Sequence, residues 1–166
     1  MALAHLHSRA GLWTVEEYVS RATTGRMDVN TPYQLPTVWT VEQRRNLMYS
    51  WLMGLPIPAV LLNSRIEWPN HSTEYAVVDG KQRIETALAW FRGELTIPRE
   101  WLPTEWLTPG TSPMVGLTDM TKPRMVERLM DIPFVMTQVP TIRKEALLYV
   151  LITPADLKNA QRIANA

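Results

Sequence analysis

The sequence predicts a small α+β domain, and three observations carry that reading. Residues 58–63, 74–78 and 134–138 are apolar runs of strand length, bounded by turn-forming residues. Longer segments with apolar residues at helical spacing lie between and around them. Two of these segments open on capping boxes, Thr14 with Glu17 and Thr40 with Gln43, in which side chain and backbone satisfy each other's hydrogen bonds.

The elements follow in chain order. Thr14 caps a helix expected over residues 15–23, with Trp13 and Tyr18 as its hydrophobic staple. Residues 24–38 hold Gly, Asn and Pro and read as a loop. A second helix starts after Thr40, carries Leu47, Met48, Trp51, Leu52 and Leu55 at helical spacing, and ends at Gly54 and Pro56. Strands over 58–63 and 74–78 are split by a polar loop through 64–73. The helix after Asp79 is expected to bury Ile84, Ala87, Leu88 and Phe91 and to stop near Gly93. Residues 97–120 are rich in proline and hold Trp101 and Trp106, the mark of a packed irregular excursion and not of a flexible linker. A helix near 122–131, a strand over 134–138 and a helix from Thr141 complete the core elements. Thr153-Pro154-Ala155-Asp156 supplies an N-cap, a first-position proline and an early acid for a terminal helix.

Composition narrows the function classes. With 166 residues, one domain spanning 1–166 is expected, large enough for a core without staples. The absence of cysteine excludes disulfides, thiolate catalysis and cysteine-ligated zinc. A formal net charge of +1 does not advertise nucleic-acid binding, although a local basic patch remains compatible with it. No apolar run reaches the length of a membrane span, and residues 1–13 lack the layout of a signal peptide. The expected location is the cytoplasm.

The stretch YAVVDGKQRIETALAWF, residues 75–91, concentrates the chemistry. In one reading Asp79 is an N-cap paired with Gln82 in a capping box, and Gly80 eases a tight strand-to-helix turn. Lys81 and Arg83 are then solvated. In the other reading the start of the helix binds an anion. Its free N–H groups and the positive end of its dipole attract negative charge. Two bases beside that end are unfavourable unless an anion joins them, and Arg83 offers a bidentate fork for a phosphate. Arg83, Thr86 and Trp90 share one helical stripe, and Asp79 could orient a water or hold a metal on that phosphate.

Several motifs in a fixed order extend beyond this turn. They are Tyr33-Gln34, Val38-Trp39, Gly54-Leu55-Pro56-Ile57-Pro58 and Asp79-Gly80-Lys81-Gln82-Arg83. Over about residues 30–95 the chain resembles the ParB/sulfiredoxin-like nucleotide-binding domain at the N-terminus of GmrSD-type restriction enzymes. Its short form, with Lys81, is similar to chains of actinobacterial phages, for which the location would be the host cytoplasm. The resemblance implies a small mixed β-sheet flanked by several helices. It implies a nucleoside triphosphate, with Mg²⁺, bound by Tyr33, Gln34, Gly80, Lys81, Gln82, Arg83 and Thr86, with Asp79 and Arg83 as catalytic residues and Asp79 on the metal. Nucleotide hydrolysis in such relatives regulates DNA cutting by a separate nuclease domain, so DNA is an implied partner. ParB relatives bind CTP, and sulfiredoxins use ATP with a cysteine that this chain lacks.

The chain also departs from the pattern. Leu35 stands where the family has arginine, and residues 147–160 hold no glycine where a glycine-containing loop is expected. No histidine-rich nuclease motif is present; His5, His7 and His71 are scattered. Two alternatives therefore stand beside a nucleotide-hydrolysing domain: a non-enzymatic module with a vestigial pocket that contacts a host or partner protein, and a weak DNA nickase using the same turn. Tyr33 and Trp39 could stack on a base or pack in the core. Arg44 and Arg45 read as a solvated helix face, and no motif marks Glu74 or Glu85 as a general base.

Overall fold

The computed structural model describes residues 6–36, 38–122 and 132–152, with Arg162 and Asn165. Among these residues four α-helices, α1 (Val15–Thr23), α2 (Val41–Leu52), α3 (Lys81–Phe91) and α4 (Ile142–Ile152), pack on a five-stranded mixed sheet. Its strands are β1 (Arg9–Trp13), β2 (Met27–Asp28), β3 (Val60–Ser64), β4 (Tyr75–Asp79) and β7 (Ile132–Thr137), in the order β1-β7-β3-β4-β2. β7 and β3 run parallel, as do β4 and β2, while β1–β7 and β3–β4 are antiparallel. The expected α+β class is therefore the observed one. No helix among the described residues is long and apolar enough to cross a membrane.

Both capping boxes form. Thr14 N–H donates to Glu17 Oε2 at 2.9 Å and Glu17 N–H to Thr14 Oγ1 at 3.1 Å. At α2 the corresponding bonds join Thr40 and Gln43 at 2.8 and 3.3 Å. A cap of this kind contributes about 1 kcal/mol, so each helix start is fixed locally. The Trp13 and Tyr18 rings meet edge-on at 5.4 Å, as a staple requires.

Side chains alternate across the sheet and divide the core in two. On one face Val60, Leu62, Val77, Ile132, Phe134 and Met136 pack under α1, α2 and α3. On the other, Leu61 and Val78 meet Tyr33, Ala146, Leu148 and Tyr149, so α4 and the segment around Tyr33 cover that face. The end of β4 is thus held between two layers, and α3 leaves from it.

Several expectations need correction. Two strands form that the sequence reading did not place: β1, and β2 inside the loop expected over 24–38. β1 pairs with β7 through Gly11, whose missing side chain admits the Phe134 ring; a Cβ there would lie 2.5 Å from Phe134 Cζ. In α3, Trp90 and Thr86 are fully buried while Leu88 and Phe91 are only half-buried, so the buried face is rotated from the one the periodicity suggested. Arg44 and Arg45 are not simply solvated: Arg44 lies 3.9 Å from Glu85, and Arg45 pairs with Glu42 and donates to the Thr96 carbonyl at 3.0 Å. Residues 97–120 are the packed excursion expected, pinned by a two-stranded ribbon of β5 (Ile97–Pro98) and β6 (Met114–Val115), with Trp106 buried. The helices expected near 122–131 and from Thr153 lie outside the described residues.

Candidate functional site

A cleft of about 200 Å³ opens where β4 hands over to α3. Asp79, Gly80, Lys81, Gln82 and Arg83 form one side. Gln34, Leu35, Pro36, Val38 and Trp39, from the segment before α2, form the other, and Tyr149 of α4 closes the back. The structure therefore gathers most of the residues singled out from the sequence, although Gln34 and Arg83 are far apart in the chain.

The handover itself differs from the capping-box reading. Asp79 is still paired with Leu61 in the sheet, and Gly80, at φ +102°, occupies the N-cap position of α3. The helix starts one residue later than an Asp79 cap requires, so the Asp79–Gln82 box does not form. Gln82 Oε1 instead accepts the Trp39 N–H at 3.4 Å, tying the two walls together. Only glycine adopts such a backbone without strain. A Cβ at Gly80 would also lie 3.1 Å from Val60 and from Arg83 Nη2, so the close approach of β3 needs glycine as well.

This leaves α3 unlike its neighbours. α1 and α2 each carry an acid in the first turn and a side-chain cap. α3 has neither; Lys81 and Arg83 occupy its first turn. The uncapped amides and two cations give that helix start an anion-attracting character. Both cations already have partners. Arg83 Nη2 lies 3.0 Å from Asp79 Oδ2 and 3.3 Å from the Ala59 carbonyl. Lys81 Nζ is 3.9 Å from Glu85 Oε1. An arriving anion competes with two carboxylates for these groups.

Two polar atoms in the walls, Arg83 Nε and Gln34 Oε1, are buried without a hydrogen-bond partner. Unpaired buried polar atoms are rare, and here two belong to one cleft. The Gln34 amide donates to the carbonyls of Val77 and Val78, the latter at 3.1 Å, which fixes which of its atoms is left over.

Other expected residues lie elsewhere. Thr86 is fully buried and its hydroxyl donates to the Gln82 carbonyl at 2.8 Å, so the stripe of Arg83, Thr86 and Trp90 runs into the core and offers a ligand only Arg83. Tyr33 is interior too: its hydroxyl donates to Glu145 Oε2 at 3.2 Å, and burial, then the Glu145 charge, push its ionisation well above the usual tyrosine range. It cannot stack on a base from there. Trp39, by contrast, is half-buried in the cleft wall. Leu35, in place of a family arginine, sits half-exposed at the rim, its N–H donating to the Tyr149 hydroxyl at 3.4 Å. Glu74 is bound up with Arg26, which holds its carboxyl below the usual range. His71 stacks edge-on against Trp68. Among the described residues no three His, Asp or Glu side chains are grouped to hold a metal.

Sequence reading missed the buried ionic group behind the cleft. Arg65 and Glu145 form a bidentate pair at 2.8 and 2.6 Å, joined by Asn63, Tyr33 and Asp28. Burial disfavours the Arg65 charge, but Glu145 and Asp28 outweigh it and raise its ionisation overall. No local pattern in the polar loop after β3 announces this. A larger cleft of about 550 Å³ lies along β2 and α3, but its Arg44 and Glu85 face each other at 3.9 Å and Asp28 is taken by Arg65.

No curated protein and no solved structure matches the chain. A family model for the N-terminal domain of the GmrSD restriction endonuclease matches residues 15–160. That span takes in every wall of the small cleft, and the chain belongs to the GmrSD restriction endonuclease N-terminal domain family.

Proposed function

We propose that the small cleft binds a nucleoside triphosphate as its Mg²⁺ complex, and that this binding governs restriction-type DNA processing by a separate nuclease. The observation that carries the reading is the start of α3: an uncapped helix N-terminus bearing Lys81 and Arg83 and no first-turn acid, opening into a cleft. Arg83 would take the phosphates bidentately, and Lys81 and the amides of Gly80 to Gln82 would complete the cradle. Mg²⁺ is commonly held by one or two carboxylates plus substrate phosphates, and Asp79, half-exposed at the cleft mouth, suits that role. The metal would neutralise phosphate charge. Asp79 is also the carboxylate that could orient an attacking water if the nucleotide is hydrolysed. Trp39 and Val38 offer an apolar face to the base. A cleft of about 200 Å³ is smaller than the roughly 300–1,000 Å³ usual for a whole ligand, so part of the nucleotide would rest on the rim. This takes the domain as a ParB/sulfiredoxin-like nucleotide binder.

A second reading is favoured by Leu35 and by the internal pairing of both cations. In it the pocket is vestigial and the domain acts by contact with a protein partner. A thermal-shift panel of ATP, GTP, CTP and UTP with Mg²⁺ separates the two. The nucleotide reading expects a rise with at least one of them. No shift with any of the four at millimolar concentration leaves the binding module.

A further inference from the structure

We propose that Arg65 and Glu145 are positioning residues for the cleft, holding its Tyr33–Pro36 wall in register with the Asp79–Arg83 turn. The inference rests on reading that cleft as the ligand site.

Glu145 is fully buried and Arg65 is 2 % exposed. Each oxygen of Glu145 accepts two bonds. Oε1 takes Arg65 Nε at 2.8 Å and Asn63 Nδ2 at 2.7 Å. Oε2 takes Arg65 Nη2 at 2.6 Å and the Tyr33 hydroxyl at 3.2 Å. Arg65 spends its remaining fork on Asp28 Oδ2 at 3.0 Å and Thr73 Oγ1 at 3.2 Å. A buried ion pair is weak evidence of stability, because apolar residues of like volume often do as well; its attested use is to fix one arrangement. What is fixed here follows from the chain. Tyr33 is anchored to Glu145, and its ring lies 5.5 Å from that of Tyr149, one turn further along α4. The next residue, Gln34, grips the Val77 and Val78 carbonyls just before Asp79. The one after, Leu35, donates its N–H to the Tyr149 hydroxyl at 3.4 Å. Glu145 and Tyr149 thus hold Tyr33 and Leu35, while Gln34 between them clamps the end of β4. Arg65 and Asn63, from β3 and the loop after it, lock Glu145 itself. Tyr33, Asn63, Arg65 and Glu145 do not line the cleft themselves; they act through Gln34, Leu35 and Tyr149, which do.

The test uses Tyr33→Phe, which keeps the ring and removes one hydroxyl contact, beside Glu145→Gln. Amide hydrogen exchange is followed by NMR in the full chain, and binding is measured with the Mg²⁺ complex of whichever of the four ribonucleotides shifts the wild type. A lost buried hydrogen bond is worth up to about tenfold in a local equilibrium. In Tyr33→Phe, Leu35 exchange should therefore quicken by up to about tenfold, while Thr24 at the frayed end of α1, which opens locally, holds. Nucleotide affinity should fall by a similar factor at a temperature where the variant is fully folded. Glu145→Gln should give the same local pattern, larger; if it does not fold, Tyr33→Phe decides alone. Unchanged Leu35 exchange, or equal acceleration of every amide, overturns the proposal and leaves the group as plain core. If no nucleotide binds the wild type, the functional reading fails separately, and the exchange data still decide whether this network holds the wall.

Discussion

Replacing Gly80 with alanine strains the handover from β4 to α3 in two separable ways. First, the backbone there has φ +102°, a region that side-chain-bearing residues occupy at a cost of about 1–3 kcal/mol. Second, the new Cβ would meet Val60 Cγ1, Val60 Cγ2 and Arg83 Nη2, each at 3.1 Å. Val60 is fully buried in β3 and has nowhere to go, so this crowding adds about 1–3 kcal/mol, as overpacking does. Arg83 can move, but only by loosening its bonds to Asp79 and Ala59. Gly93 is the control: its φ is +75° and nothing lies within 4 Å of an added Cβ, so alanine there meets backbone strain alone. Gly80→Ala should be less stable than Gly93→Ala by about 1–3 kcal/mol. At about 2–4 °C per kcal/mol for a chain of this size, thermal and urea unfolding followed by circular dichroism resolve that gap. Equal stability of the two variants would refute the claim that β3 presses on this turn.

Three further outcomes follow from the same geometry. Asp79→Asn should keep the fold, since Gly80 and not Asp79 occupies the cap; nucleotide affinity should stay within about tenfold, and any hydrolysis should fall by about 10²–10⁴ if Asp79 orients the water, as a phosphate-release assay would record. Tyr18 is fully buried with its hydroxyl unpartnered, whereas Tyr33 donates to Glu145; at pH 7 Tyr18→Phe should therefore be neutral or stabilising, and Tyr33→Phe should cost about 1 kcal/mol in urea denaturation, since Glu145 Oε2 keeps its bond from Arg65. Burial raises the ionisation of both tyrosines above their ordinary value of 10.0, so the unfolded chain loses those protons first; stability is full below pH 10 and falls as pH rises past it, and the doubly substituted Tyr18→Phe, Tyr33→Phe chain should show a flatter alkaline limb in melting temperature.

What the sequence revealed tracks how local the physics is. The starts of α1 and α2 were legible because a capping box is closed within four residues. The turn at Asp79 was legible as a strand-to-helix junction, but its cap was misplaced by one residue. Asp79 fits the box by type, and only the pairing of Asp79 with Leu61 shows that the strand runs on to it. Lys81 and Arg83 stand out in the sequence as bases at a helix start and Gln34 through motif order, and the fold gathers them round one cleft. Tyr33 and Thr86 were assigned to a ligand on the same grounds and turned out to be interior, because residue type and helical stripe do not say which way the sheet's two layers close. β1 was missed because five residues carry little periodicity, although a glycine amid strand-forming neighbours is a hint of close backbone approach, and Gly11 meets Phe134 in that way. Arg65 and Glu145 were not legible at all. They lie 80 residues apart, and only the parallel pairing of β3 with β7, followed by α4, brings them together.

The most direct test is calorimetric titration of wild type and Arg83→Ala with Mg²⁺-nucleotide, paired with their melting curves. Arg83 gives up an i,i+4 pair to Asp79, which is itself half-exposed, and one long carbonyl contact, so its removal should cost about 1 kcal/mol of stability. The wild type should bind, and at about 100 times the dissociation constant it should gain about 2.7 kcal/mol of stability. Arg83→Ala should remain folded and show neither heat of binding nor shift. Binding of equal strength in both proteins, or none in the wild type, would contradict an anion site at the start of α3.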